Sequence, residues 1–354
     1  MSNPLPVDVE GLTPEWLSRA LSGRHPGVCV REVERLDRTE RTNLHARLRL
    51  RYDEAAGAPE TIFCKLPPTN PEHRAMIGAT GMGTREAWFY RDLAPLLSMR
   101  MPTAHHAEAN ETGDFVLLLE DLTARGCAVS DGTWAISADL AAKAIEELAA
   151  LHVRFQDADR LAAIAPWAAV KRAGSIDFTV RTLRHVIEHH AARLSEAYLA
   201  IARLFAERPG DVNAIWDRGP QTLIHGDAHI GNLFVDEGQV GFLDWGMLCV
   251  YSAMRDVSFF LTMGMESDDR RREERALIRH YVDVRRALGG VPLSFEDAWL
   301  AHRLHAAYGV IASFLTLVPP YDTESRRVFT TAFRARASAA LDDLDTVAAL
   351  RAAL

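Results

Sequence analysis

Two short stretches hold most of the residues in this sequence that could do chemistry together. The first reads His225-Gly226-Asp227-Ala228-His229-Ile230-Gly231-Asn232, and the second Leu243-Asp244-Trp245-Gly246. Two carboxylates and an amide at this spacing suit phosphoryl transfer. That reaction needs one carboxylate to orient the attacking hydroxyl and accept its proton. It needs a second carboxylate and an amide oxygen to hold Mg²⁺ against the phosphates, and a lysine, itself set by a carboxylate, to steady them. Asp227 and Asn232 stand five positions apart, and Asp244 follows on the next hairpin. Upstream, Lys65 closes a strand-like run and Glu86 lies in a helical segment. A different chemistry starts from His225 and His229, four apart, which on a helix could bind zinc. The carboxylate stands at the third position of that pattern and not the second, Gly226 and Gly231 break helicity, and no third ligand is suggested nearby. The zinc reading is therefore set aside.

These residues need elements to carry them. Thr13-Pro14-Glu15 reads as a capped helix start. Residues 28–34 and 43–52 read as strands, the latter because Leu44, Ala46, Leu48 and Leu50 alternate with polar neighbours. A third strand, 61–66, stops at Pro67-Pro68, a helix is expected over 84–97, and 114–119 reads as a buried strand. After residue 135 the pattern is mostly helical, over 137–155, 175–208, 266–288, 294–317 and 324–350. Strand-like pieces at 221–225, 232–235 and 239–243 interrupt it. The charge run 268–275 reads as a solvated helix face with i,i+4 pairs such as Arg270–Glu274.

The five-residue spacing of Asp227 and Asn232 matches the protein-kinase catalytic loop. Together with Leu243-Asp244-Trp245, His225-Gly226-Asp227-x-His229-x-x-Asn232 resembles the aminoglycoside phosphotransferase and choline kinase superfamily. The likeness is closest to the ecdysteroid-kinase-like branch and its bacterial relatives. Phe63-Cys64-Lys65-Leu66-Pro67, Arg85-Glu86-Ala87-Trp88-Phe89-Tyr90, Leu118-Leu119-Glu120-Asp121-Leu122, Leu148–His152 and Arg255–Leu261 support it in order. The resemblance implies an α+β, bilobal, protein-kinase-like fold. A small antiparallel-sheet lobe with one helix would span 1–120, a hinge 121–127, and a mainly helical lobe 128–354, with the active site between the lobes. It implies Asp227 as catalytic base and Asn232 and Asp244 as Mg²⁺ ligands. Lys65 would contact the ATP phosphates, with Glu86 as its partner, and Glu120, Asp121 and Leu122 would form the adenine hinge. His225, His152 and Asp256 would brace the catalytic loop. The phosphate-covering turn departs from the protein-kinase pattern. Residues 36–43 contain no glycine, so backbone approach is less free, and Thr39, Thr42 or Asn43 would donate instead.

The expected activity is transfer of the γ-phosphate of Mg·ATP to a hydroxyl of a small molecule. Residues after 250 include Tyr251, Phe259, Phe260, Met263, Met265, His302, His305, Tyr308, Phe314 and Tyr321. They favour an uncharged, partly apolar alcohol such as a steroid, terpenoid or macrolide. The alternatives are an aminoglycoside or choline-like amino alcohol, or a ligand-binding pseudokinase. Composition agrees with a nucleotide-dependent enzyme. The 354 residues are 48% apolar and 25% charged, with 40 basic and 48 acidic side chains and a net charge of −8. That balance argues against a nucleic-acid partner. The first residues lack a signal-peptide pattern, and no apolar run reaches the ~18 residues of a membrane span. The four scattered cysteines fit free thiols, so a cytoplasmic location is expected.

Overall fold

The computed structural model describes residues 5–40, 42–132, 134–169, 176–318 and 323–354. Arg41 and Tyr321, each part of an expected segment, lie outside them. Packing divides the chain into two compact units. The first comprises Met1–Val129, Phe234–Glu237 and Gly241–Leu248, the second Ser130–Leu233, Gly238–Val240 and Cys249–Leu354. The fold is α+β, with an antiparallel-sheet N-terminal region and a mostly helical remainder.

In the first unit, helix α1 (Pro14–Ser22) starts as its cap dictates, with the Thr13 hydroxyl accepting the Trp16 N–H at 3.3 Å. Strands β1 (Cys29–Glu40), β2 (Leu44–Glu54), β3 (Thr61–Leu66), β4 (Ala104–Ala109) and β5 (Phe115–Glu120) form one antiparallel sheet in the order β1-β2-β3-β5-β4. The alternation of β2 works as the pleat requires. Leu44, Ala46, Leu48 and Leu50 are buried with Leu17 and Leu21 of α1 and with Ile62 and Cys64 of β3.

Three expectations are corrected here. β1 runs on to Glu40, so the turn expected over 36–43 is strand as far as Glu40, with Thr42 and Asn43 in the bend before β2, and Thr39 is a ladder residue opposite His45. Charge pairing across the strands extends them: Asp37 accepts from the Arg47 backbone N–H at 3.0 Å and from its side chain at 2.7 Å. The single helix over 84–97 is instead α3 (Met82–Trp88) with a π-helical turn at Phe89–Leu93 and a 3₁₀ turn at Ala94–Leu96, and a helix that was not expected, α2 (Pro71–Thr80), precedes it. The wide turn buries Phe89, Tyr90 and Leu93 together. β4 was not expected, since Ala-His-His-Ala-Glu-Ala shows no apolar alternation.

The two-residue strand β6 (Ala128–Val129) ends the first stretch. Helices α4 (Ala138–Arg154), α5 (Ala158–Ile164), α6 (Pro166–Ala169), α7 (Ile176–His190), α8 (Glu196–Glu207) and α9 (Pro209–Trp216) follow. Strands β7 (Gln221–Ile224), β8 (Leu233–Asp236), β9 (Gln239–Phe242) and β10 (Cys249–Ser252) come next, and β7 pairs with β10. β8 and β9 are joined at Glu237-Gly238, both at positive φ, which is the twist a two-residue hairpin prefers. Helices α10 (Ala253–Gly264), α11 (Ser267–Ala287), α12 (Phe295–His305), α13 (Tyr308–Ser313), α14 (Arg327–Asp343) and α15 (Thr346–Ala353) complete the chain. Every residue of α10 except Arg255 is buried, which makes it the central helix of the second unit. The charge run on α11 is only partly solvated. Arg270, 1% exposed, donates to Glu274 at 2.7 Å and also pairs with Asp343, because α12 and α14 cover that side of the helix. No helix among the described residues is long and apolar enough to cross a membrane.

Candidate active site

Lys65 lies one residue before the end of β3, between Cys64 and Leu66, which both face the core. Its side chain therefore leaves the opposite face of the sheet, where α3 places Glu86. The ammonium donates to Glu86 at 2.6 Å and to Asp244 at 3.0 Å, and Lys65 and Glu86 are 4% and 2% exposed. Burial alone would lower the lysine pKa, but the Asp244 and Glu86 charges outweigh it and hold the ammonium above its ordinary value. Two carboxylates share this one cation. Burial, with the second negative charge of Asp244, pushes Glu86 up to about 7. Asp244 keeps half of its side chain exposed and sits at φ 59°, ψ 69°, a left-handed conformation that aspartate tolerates better than most residues. The turn behind it is pinned by Trp245, whose ring stacks on Phe89 at 4.0 Å and 11°.

The second group is built on the loop between β7 and β8. Asp256, on the first turn of α10, accepts the backbone N–H of His225 at 2.6 Å and of Gly226 at 2.8 Å. Gly226 takes φ 81°, which lets two successive N–H groups converge on one carboxylate. His152, from the last turn of α4, packs beneath with Nε2 3.3 Å from Asp256 and Nδ1 2.7 Å from the Tyr281 hydroxyl. Arg285 donates to that hydroxyl at 3.2 Å. Burial pushes His152 down, so its ring is neutral. Burial would raise Asp256, but the bonds from His152 and the backbone N–H groups hold it below the usual carboxylate range. A neutral ring that donates to Asp256 through Nε2 accepts the tyrosine proton at Nδ1.

On this braced loop, Asn232 Nδ2 donates to the Asp227 carbonyl and to Oδ2 of its side chain, both at 2.9 Å. The Asp227 side chain is 28% exposed. The amide nitrogen of Asn232 is thus spent on Asp227, which turns its oxygen away. His225 and His229 are not on a helix. Their Nδ1 atoms accept the backbone N–H of Asp227 at 3.2 Å and of Gly231 at 2.9 Å.

The remaining expected residues do other things. Glu120 accepts from Arg100 at 2.9 and 3.1 Å and from the Thr103 N–H at 3.0 Å, so its side chain ties β5 to the segment before β4. Asp121 caps the turn through the Thr123 and Ala124 N–H groups, and the Leu122 carbonyl accepts from Cys127. Asn43 is 6% exposed, with Oδ1 unpartnered among the described residues, and Thr42 lies in the turn beside it.

Sequence reasoning missed Tyr281, Arg285 and Trp245 as parts of these groups. Tyr281 and Arg285 were readable as an i,i+4 pair on the same face of α11 as Leu277 and Ile278. It also missed Phe329 and Phe333, which with Phe259 surround His229 at ring distances of 6.1, 5.2 and 6.0 Å.

Residues 61–291 match the phosphotransferase enzyme family. No curated protein sequence matches the chain. Among solved structures, a protein of Ralstonia eutropha, described as a candidate aminoglycoside phosphotransferase, aligns with a TM-score of 0.55 at 13% identity, over 96% of this chain and 98% of that one. Choline kinase from Streptococcus pneumoniae aligns at 0.52 and 14%, over 94% and 98%. Ethanolamine kinase from Plasmodium vivax aligns at 0.51 and 12%, over 91% and 83%. These likenesses show a shared fold. With the matched residues spanning most of the chain, from β3 through α11, the protein belongs to the phosphotransferase enzyme family.

Proposed function

We propose that the enzyme transfers the γ-phosphoryl group of Mg·ATP to a hydroxyl of a small, partly apolar molecule. The observation that carries this reading is the pairing of Asp227 with Asn232 on a loop braced by Asp256. In this reading Asp227 orients the acceptor hydroxyl and takes its proton, and Lys65, set by Glu86, steadies the phosphates. The oxygens of Asn232 and Asp244 suit a hard cation such as Mg²⁺, and the exposed half of Asp244 and the outward amide oxygen of Asn232 fit that role. Such a cation, when bound, neutralises charge on the phosphates. The backbone of residues 120–122 would receive the adenine, and Thr39, Thr42 and Asn43 would border the phosphates. The residues themselves supply positioning and charge complementarity, not covalent chemistry.

The preference for an acceptor with an apolar face rests on Phe259, Phe329 and Phe333 around His229, two residues from Asp227. The sequence likeness to the ecdysteroid-kinase-like branch points the same way. The test is ADP release from Mg·ATP across a panel of steroid, terpenoid, macrolide, aminoglycoside and amino-alcohol acceptors. Asp227→Ala should lower turnover by about 10²–10⁴-fold with nucleotide binding retained, and Asp244→Ala should lower Mg-supported turnover and raise the Mg²⁺ concentration it requires. Near-full activity in either variant would remove the assignment. Tight nucleotide binding with no turnover on any acceptor would make the protein a ligand-binding pseudokinase.

A further inference from the structure

His229 has no part in the reading above, yet its ring is held by a backbone hydrogen bond and by three phenyl rings. Its Nδ1 accepts the Gly231 backbone N–H at 2.9 Å. A backbone N–H can only donate, so in the neutral ring the proton must sit on Nε2. Nε2 lies 3.5 Å from Asp227 Oδ2 and 3.5 Å from Asn232 Nδ2. The amide nitrogen is itself a donor, already spent on Asp227, so the carboxylate oxygen at 3.5 Å is the acceptor within reach of the Nε2–H.

The ring cannot easily turn away. Phe333 and Phe259 meet it edge-on at 5.2 and 6.0 Å, and Phe329 lies at 6.1 Å. On its remaining side Gly231 comes so close that a Cβ there would stand 2.8 Å from His229 Cε1. The side chain is 15% exposed.

From this we infer that His229 is a positioning residue for Asp227. Its Nε2 and the Asn232 amide nitrogen lie near the same carboxylate oxygen, Oδ2, at 3.5 and 2.9 Å. Oδ1, which no described residue bonds, is left as the oxygen that receives the acceptor proton. The long 3.5 Å separation shortens when the acceptor hydroxyl and nucleotide draw the carboxylate into line, as bonds in ligand-free sites do. The apolar bracket gives the contact its strength, because three phenyl rings keep water from competing for Nε2–H. The inference rests on Asp227 being the base.

Two measurements separate this role from plain packing. Imidazole ¹⁵N spectra of the full chain, with His229 identified by its loss in His229→Gln, should show one tautomer at neutral pH, protonated on Nε2. Asp227→Asn should shift that Nε2–H. An Nδ1–H tautomer, averaging between the two, or an Nε2–H indifferent to Asp227→Asn would overturn the proposal. Kinetically, His229→Leu fills the bracket but cannot donate. It should lower kcat about tenfold to a hundredfold with KM for ATP and the melting temperature little changed. His229→Gln, whose amide can reach the same oxygen, should recover part of that loss, and Gly231→Ala, which pushes the ring, should mimic it. Equal kcat in the Leu and Gln variants would show a packing role only. If Asp227→Ala kept its turnover while Nε2–H still reported on Asp227, the base assignment would fall and the contact would stand.

Discussion

Lys65 stands between two carboxylates, and its neighbours do not share its burial equally. Glu86 is 2% exposed while half of the Asp244 side chain is open. Removing the cation strands a buried carboxylate, whereas removing Asp244 leaves a pair that still balances. Lys65→Met should therefore cost about 3–5 kcal/mol, and Asp244→Asn much less. Adding Glu86→Gln to Lys65→Met should recover most of the loss, since no buried charge then remains. A double-mutant cycle by denaturant unfolding measures this, and additive losses would refute it. Asp244 carries a second constraint in its left-handed backbone. Asp244→Gly and Asp244→Ala remove the same carboxylate, but the alanine should be less stable by about 1 kcal/mol. Equal stabilities would mean that the backbone relaxes at this turn.

At the scale of elements, packing between α3 and β5 turns on one missing side chain. A Cβ on Gly83 would lie 2.0 Å from the buried Phe115 ring. Gly83→Ala should thus lose about 1–3 kcal/mol, while Gly23→Ala, with nothing near its Cβ, should stay within about 0.5 kcal/mol of wild type. On α12, burial and the nearby Arg255 charge push His305 down to about 3, from 6.5. Below about pH 6.5 the unfolded chain takes up a proton that the folded chain refuses. The stability this group contributes is full above that pH and is lost as pH falls toward about 3. His105, pushed down to about 4 by burial, acts in the same direction. His305→Leu should flatten the fall in melting temperature with acidification, and an unchanged slope would count against it.

Which elements could be read beforehand follows from how each is buried. β2 announced itself because only one of its faces is covered, and α4 because its apolar stripe has the helical period. α10 did not, because it is buried on all sides and so shows no period. β4 gave no signal because its residues are mostly half-buried. Of the candidate residues, Lys65, Glu86, Asp227, Asn232 and Asp244 were legible through type and spacing. Tyr281, Phe329 and Phe333 were not, since their roles arise from tertiary neighbours distant in sequence.

At the scale of the molecule, the net charge of −8 does not oppose the proposed nucleotide, because in that reading the charges that matter are local ones such as Lys65. The first unit is also discontinuous in sequence. It is completed by Phe234–Glu237 and Gly241–Leu248, including the Trp245 ring on Phe89 and the Asp244 carboxylate on Lys65. A fragment of residues 1–129 should therefore unfold with a lower midpoint than the same fragment with residues 234–248 joined by a flexible linker. Identical midpoints would contradict this. During synthesis the consequence is one of timing. The sheet and the Lys65–Glu86 pair can assemble early, but Phe89 lacks its Trp245 stack and Lys65 its second carboxylate, Asp244, until everything from Ser130 to Leu233 has left the ribosome. A nascent chain stalled in that interval holds an unfinished N-terminal unit, the state in which a chaperone would have most to protect.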